Sequence, residues 1–527
     1  MKSAIAGLLF LVCSPSLLLA DGRLILNVVD RDTGAPLAVR MHLKNAQGKT
    51  VKPPKVPVCG DHFVFFDKIE LKLANGAYQF VIERGKEYLD QTGHFDIANF
   101  ADDTKTVELK RFVDMTKEGW YSGDLDVQRP DKDLKLLMQA DDVHAVPLIT
   151  WTEKKNLWAK QPLPKEPASV FDSNFLYSVV GGEWTTPGNT LRLFRLDKPV
   201  DVTVEKPPKA AALGSLPLIP LVEAARREQN AWIDAGAFFA RDLPFWIAAG
   251  QIDSIQLMNR HLERASLVTN EAGGFARDAE RLPNPNGNAR WSQEIYYHLL
   301  NCGLRIPPTA GSGSGVSGNP VGYNRVYVHL DEQNLVPGQT EKLPTEVSWE
   351  NWWNALRAGR ATVTNGPLLR TNVEGFVPGH VFKVDSGKPA EFLIALTLST
   401  RDKIHYLEII KNGKSEVEVN LDQFKAAGGK LPPVRCGESS WFLVRVVADN
   451  QQTYRYASSA PFFVEMGYQP RISRMSAKFF VDWTNRRADE IATATKGDNS
   501  ANAETTRTYV ARAQKFWQDI LAKANAE

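Results

Sequence analysis

The chain has 527 residues, 43% hydrophobic and 24% charged, and its 63 Lys and Arg against 61 Asp and Glu leave a net charge of +2. That length exceeds one ordinary hydrophobic core and predicts about three domains. The near-neutral balance supplies no long-range attraction for nucleic acid or an anionic membrane, so neither is expected as a partner.

Lys2 precedes an apolar run from Ala4 to Leu19 that ends at Ala20-Asp21. This is the layout of a secretory signal peptide over residues 1–20, so the mature protein is expected outside the cytoplasm, periplasmic or extracellular. Phe10-Leu11-Val12-Cys13 lacks the small residue that a lipidation box places before its cysteine. No later stretch is apolar for the eighteen or so residues a membrane helix needs, so the mature chain is expected to have no transmembrane span. Its three remaining cysteines, Cys59, Cys302 and Cys436, are far apart and define no disulfide framework. Cys302 reads as a small buried apolar residue.

Residues 21–113 alternate as strands do, at Arg23–Val29, Val39–Leu43, His62–Phe66, Ala77–Glu83 and Thr106–Leu109, with turn residues between them. A β-sandwich is expected there. From 114 to 370 strands alternate with helical segments, the pattern of a βα barrel. Strands are expected at Val146–Thr150, Ala231–Asp234 and Ile252–Leu257, and helices at Glu223–Asn230, Ser292–Asn301 and Trp349–Arg360. Gly311–Gly318 is too glycine-rich for a strand, and Pro162–Pro167 and Pro207–Pro220 read as surface loops. Residues 371–466 return to β texture, with strands at Glu391–Leu398, Tyr406–Lys411 and Trp441–Ala448 and a hairpin turn at Asn412-Gly413, predicting a second β-sandwich. The tail, 467–527, carries two helices, Ser473–Thr495 and Thr505–Ala526, whose aromatics suggest docking on a preceding domain. The fold class expected is therefore multidomain α/β plus β: a distorted βα barrel, a β-sandwich on either side, and a helical tail.

Within the barrel region, Glu118-Gly-Trp-Tyr-Ser-Gly-Asp-Leu-Asp-Val-Gln-Arg-Pro130 places Asp124, Asp126 and Gln128 on one face of a strand, because side chains alternate. Three oxygen-bearing side chains on one face form a candidate cation or substrate site. His261 follows an expected strand and would line a pocket at the barrel mouth, where such folds place function. Asp234 and Trp151 are further pocket-lining candidates. Trp184, Trp232, Trp246 and Trp291 add aromatic faces that suit a small molecule or carbohydrate if exposed, and core packing if buried. His144 reads as a hydrogen-bonded core histidine, and Glu294 and His298 share a helix face as a surface pair.

Gly119–Pro130 together with Leu137–His144, and the later Leu356–Leu369, resembles the CehA/McbA family of metallohydrolases in the PHP superfamily. The resemblance implies a PHP-like distorted barrel and a metal-dependent hydrolase ancestry. It also exposes departures. The family opens on D-L-H-x-H, whereas this chain keeps Asp124 but has Asp126 and Gln128 where the metal-binding histidines belong. The T-D-H motif falls at Ile149-Thr150-Trp151-Thr152 and lacks both Asp and His. The bridging glutamate of relatives matches Glu183, and G-S-D-x-H matches Gly311-Ser312-Gly313-Ser314-Gly315, with glycine at both ligand positions. What remains, Asp124, Asp126, Gln128 and Glu183, suits a hard divalent cation such as Mg²⁺ or Ca²⁺, with Zn²⁺ held weakly. Two functions follow as expectations: a binding or scaffold pseudoenzyme on a hydrolase-like barrel, or a hydrolase of ester or phosphoester bonds with a carboxylate-rich metal site.

Overall fold

A computed structural model describes residues 22–201, 215–216, 218–331 and 346–527. The expected signal peptide and most of the expected 207–220 loop lie outside the described residues. The rest is mixed α/β and strand-rich, with eight α-helices among the described residues, none long and apolar enough to cross a membrane. It divides into two compact units. The first comprises 22–82 and 90–110, the second 83–89 and 111–527.

In the first unit, β1 (Gly22–Asp30), β2 (Ala38–Asn45), β3 (Val58–Cys59), β4 (His62–Phe66), β5 (Lys68–Leu73), β6 (Gly76–Glu83), β7 (Gln91–Ile97) and β8 (Asp102–Leu109) make two sheets. Their orders are β5-β1-β8 and β3-β4-β2-β6-β7. Strand β1 shows the alternation that defines it, with Leu24, Leu26 and Val28 buried and the residues between them half-exposed. Strands β3, β5 and β7 have no counterpart among the expected elements; β5 nevertheless alternates cleanly, Ile69, Leu71 and Leu73 buried between exposed Lys68, Glu70 and Lys72, whereas β7, with few apolar residues, shows no such period.

Residues 83–89 return to the second unit and are built into it. Glu87 is fully buried there and accepts hydrogen bonds from Arg111 (2.9 Å), the Met115 amide (2.9 Å) and the Tyr327 hydroxyl (3.0 Å). Burial, with the charge of Asp142 beside it, pushes its carboxyl up to about 7.

The second unit is organised around β9 (Trp120–Gly123), β10 (Ala145–Thr152), β11 (Ala168–Phe171), β12 (Phe175–Thr186), β13 (Asn189–Phe194), β14 (Trp232–Ala235), β15 (Ser254–Met258), β16 (Pro308–Ala310), β17 (Arg325–His329) and β18 (Ala361–Thr364). One run reads β9-β10-β12-β13-β14-β15-β16. Its pairs are parallel at β9–β10, β10–β12, β14–β15 and β15–β16, and antiparallel on both sides of β13. The chain just after β9 joins the two ends of that run. Leu125 donates to the Ala310 carbonyl (3.0 Å), Gln128 to Ser314 (2.8 Å), and Ile149 donates to Val127 (2.9 Å).

Helices α1 (Leu134–Asp141), α2 (Leu218–Gln229), α3 (Leu243–Ala248), α4 (Gly287–Leu300) and α5 (Trp349–Arg357) cover this run. Pro220, expected in a loop, lies in the first turn of α2, where proline's missing N–H costs nothing. Ser348 caps α5, accepting from the Asn351 amide, and Trp352, Trp353, Ala355 and Leu356 form its buried face. Trp353 meets Trp232 with ring centres 4.7 Å apart.

Hydrogen bonding continues from β17 through β18 to Tyr456–Ser459 and then to Ser440–Ala448 and Ile404–Lys411, one sheet of sixteen strands. The strand expected at 391–398 is two, Ala390–Phe392 and Ile394–Ser399, broken at the exposed Leu393. Asn412-Gly413 does turn a hairpin, between Ile404–Lys411 and Lys414–Val419. The last two helices run Arg474–Ala494 and Ala501–Ala522, capped by Ser473 and Ser500. Phe275 stacks on Trp483 at 4.0 Å and Phe480 on Trp517 at 4.3 Å, and the Trp517 indole donates to the Pro244 carbonyl, so the tail docks on α3 and its neighbours.

Candidate functional site

The antiparallel register sets a row of polar side chains across three strands. Glu183 on β12 faces Arg192 on β13, which faces Asp234 on β14. Leu191 and Leu193 flank Arg192 and turn to the buried apolar side, so alternation drives the guanidinium to the other face, where it is 1% exposed. Asp126 reaches the same point from the segment after β9. Arg192 Nη2 donates to Asp126 Oδ2 at 2.6 Å and lies 3.0 Å from Glu183 Oε2.

A second guanidinium completes the cluster. Arg260, just after β15, grips Asp126 with two parallel bonds, Nε to Oδ2 and Nη2 to Oδ1, both 2.8 Å, and also bonds Glu183. Such forked arginine–carboxylate pairs are the strong, geometrically specific kind. Gln128 donates to the other Glu183 oxygen at 3.0 Å. Burial alone would raise the Asp126 carboxyl, but Arg192 and Arg260 outweigh it and hold it below the ordinary carboxylate value.

Asp124, also fully buried, stands apart from the arginines. It accepts from the Ser312 amide (2.9 Å) and hydroxyl (2.5 Å), the Gly322 amide (2.7 Å) and the Asp126 amide (3.0 Å). Burial raises it to about 7 against the pull of those donors. Asp234 accepts from Ser254 (2.6 Å), Thr309 (2.6 Å) and Gln256 (3.0 Å), and burial raises it to about 6. The expected cation ligands Asp126, Gln128 and Glu183 therefore do come together, while Asp124 and Asp234 lock loops and strands. Every one of these carboxylates is already engaged, Asp126 and Glu183 by both arginines and Asp234 by Arg192, whose Nη1 lies 4.0 Å from its Oδ2. A divalent ion placed here would face two guanidiniums across a few ångströms, so the donor set does not fit one.

Gly313 and Gly315 have structural roles. Gly313 has φ 69°, and a Cβ on it would sit 2.7 Å from the Arg260 Cβ. Gly315 has φ 100°, and a Cβ there would reach 2.2 Å from the Gln128 carbonyl oxygen. The space that a ligand at 313 would need is filled by Arg260.

A cavity of about 100 Å³ opens beside the cluster, lined by Arg192, Arg260, His261, Asn189, Thr190 and Gly236, among others. His261 follows β15 and lines this cavity; burial, with Arg260 next to it, lowers its pKa to about 4 and keeps the ring neutral. Arg192 Nε and Nη1 are buried and meet no hydrogen-bond partner, an uncommon state for a guanidinium. A Cβ on Gly236 would come within 3.0 Å of that Nη1, so the glycine leaves this nitrogen its room.

Trp151 does not line the pocket. It is 3% exposed, donates to the Val180 carbonyl at 3.1 Å, and covers Gly182 so closely that a Cβ there would lie 2.1 Å from the ring. Trp232, Trp246 and Trp291 are buried too. His144 is a core histidine, 3.0 Å from the Ser122 hydroxyl, with burial lowering it to about 4. Glu294 and His298 do not pair with each other: the first takes both Arg281 nitrogens and the second meets Ser476. Burial pushes the Cys302 thiol up, consistent with an inert core residue.

Neither arginine stood out in the sequence. The signal was available for Arg192, a charge inside the apolar strand Leu191-Arg192-Leu193-Phe194, but its partners lie on other strands.

No family model and no curated protein matches the chain. Among solved structures, the apo form of Bacteroides uniformis beta-glucuronidase 3 aligns at 11% identity over 84% of this chain and 63% of its own length, with a TM-score of 0.14. The chain thus spans less than two thirds of that protein, and a score so low carries no argument about fold or function.

Proposed function

We propose that this is an exported protein with a PHP-like distorted barrel in which two arginines have taken over the cationic role of a lost metal centre, and that it acts as a binding or scaffold pseudoenzyme. The observation that carries this reading is the clasp of Asp126 and Glu183 by Arg192 and Arg260. Hydrolysis at such a barrel would need a metal-activated water, and no carboxylate of the cluster is available to hold one. The joining of the strand run through Leu125 and Ala310 supports the barrel. The ligand is a small molecule or carbohydrate with an acceptor oxygen for the unpartnered Arg192 Nη1, the nitrogen that Gly236 leaves room for beside the cavity.

The test has two arms. Assayed against phosphate, carbamate and carboxylate esters with Mg²⁺, Mn²⁺ or Zn²⁺ added, the protein should show no turnover above buffer. In a thermal-shift screen of monosaccharides, small carboxylates and phosphates, at least one class should raise the melting temperature, and Arg260→Gln should reduce that rise. Metal-dependent turnover that disappears in Asp126→Asn would favour the hydrolase reading instead.

Export rests on Lys2, the apolar run and Ala20. Amino-terminal sequencing of protein from the native host should find a start at or near Asp21. An intact Met1 there would count against it.

A further inference from the structure

The first unit carries a constellation unrelated to the arginine cluster. His42 on β2 and His62 at the start of β4 are 6% and 2% exposed, and Asp61 precedes β4 in the tight Cys59-Gly60-Asp61-His62 turn. The pairing Ala38↔Phe66 through Met41↔Phe63, carried on by one step, sets His42 opposite His62. On the other side of β4, Cys59 pairs with His62. Directly opposed residues of antiparallel strands share a face, so Cys59, His62 and His42 form a row across three strands.

Asp61 closes the group. Its carboxylate lies 3.1 Å from His42 Nδ1 and 3.3 Å from His62 Nδ1, and the ring centres are 5.2 Å apart. Ligand-capable atoms of all three residues lie within 4.8 Å of one another. In a tetrahedral Zn²⁺ site with bonds of about 2.0–2.1 Å, neighbouring ligand atoms stand about 3.4 Å apart. The two N···O separations, His42 Nδ1 to Asp61 Oδ2 and His62 Nδ1 to Asp61 Oδ1, are close to that edge length, and a small carboxylate rotation brings one oxygen to serve both.

We propose that His42, Asp61 and His62 bind one divalent transition-metal ion of the zinc class, with a fourth position beside the Cys59 strand. Two imidazoles and one carboxylate select Zn²⁺ over Mg²⁺ or Ca²⁺, which prefer all-oxygen shells. The carboxylate now receives both imidazole N–H groups. On binding, the Nδ1 protons leave to solvent and the lone pairs turn to the metal, so uptake releases protons. Entry is open, since the Asp61 side chain is 53% exposed while both rings are buried. Arg40, two pairs along the same register and so on the same face of β2 as His42, is a cation the site must tolerate.

The experiment is calorimetric titration of the full chain with Zn²⁺ alone, after chelation and dialysis. One ion should bind per chain, and His62→Ala should weaken it by more than about 100-fold, since even outer partners of a metal are worth about 10- to 100-fold. Because His62 is buried and its loss could unfold the unit, Asp61→Asn, at a half-exposed carboxylate, provides the second variant; it should weaken binding about tenfold or more. Mutation at Asp126 should leave the titration unchanged, which separates this site from the arginine cluster. Absence of Zn²⁺ binding by the wild type, or equal affinity in wild type and Asp61→Asn, would overturn the proposal.

Discussion

Asp124→Ala should destabilise the second unit by about 4 kcal/mol or more, the largest single effect expected in the candidate site. The alanine would leave four buried donors without an acceptor, the Ser312 amide and hydroxyl and the Gly322 and Asp126 amides. Each abandoned buried donor costs about 1–3 kcal/mol. Those donors fix the 311–322 loop to the end of β9, so that loop should lose its protection from hydrogen exchange first. Urea unfolding followed by tryptophan fluorescence is selective here: the first tryptophan in the chain is Trp120, so the signal reports only the second unit. The charge can be separated from the acceptors by pH. The carboxyl ionises at about 7 in the fold against an ordinary 3.8, so the folded state holds that proton more tightly, and the group's contribution to stability is full below about pH 4 and is lost as pH rises through 7. Asp124→Asn cannot titrate. Its stability relative to wild type should therefore rise between pH 4 and 7; a flat difference would mean that Asp124 is ionised throughout.

Arg192→Ala should cost about 3 kcal/mol, the scale for removing one partner of a buried ion pair. Arg260 would keep its forked hold on Asp126, which limits the loss, but Glu183 and Asp126 would then share one cation. The double variant Arg192→Ala with Glu183→Gln should be less destabilised than the sum of its parts, since the second change removes a charge the first left exposed to repulsion. Additivity in that cycle would show that the two side chains do not interact in solution. Loss of Arg192 should also abolish the ligand-induced thermal shift, because its unpartnered Nη1 is the binding donor. Retention of the shift would place the ligand elsewhere.

Elements with a clear period were readable in advance. The strand around Val146–Thr150 and the helix from Trp349 have long apolar runs or a single apolar face, and local sequence suffices for both. The tail helix that begins at Ala501 was expected to start at Thr505, because the Ser500 cap is a weaker signal than the apolar stripe after it. The functional residues divide differently. Asp126, Gln128 and Glu183 were found through a motif, and they do converge. Their cationic partners were not, because Arg192 and Arg260 lie 66 and 134 positions from Asp126, and only sheet pairing brings them in. His42 and His62 were likewise invisible as a pair, since their meeting depends on the register of β2 against β4.

The return of residues 83–89 to the second unit bears on how such a protein could be assembled from, or dismantled into, modules. The chain passes between units three times, at 82/83, 89/90 and 110/111. A single recombination junction can add or remove a domain only where the chain crosses once. Deleting everything before residue 111 would take Glu87 with it and strip Arg111, Tyr327 and the Met115 amide of their shared acceptor. The amino-terminal β-domain is thus bound into the inheritance of the larger unit, and the two are expected to be gained or lost together.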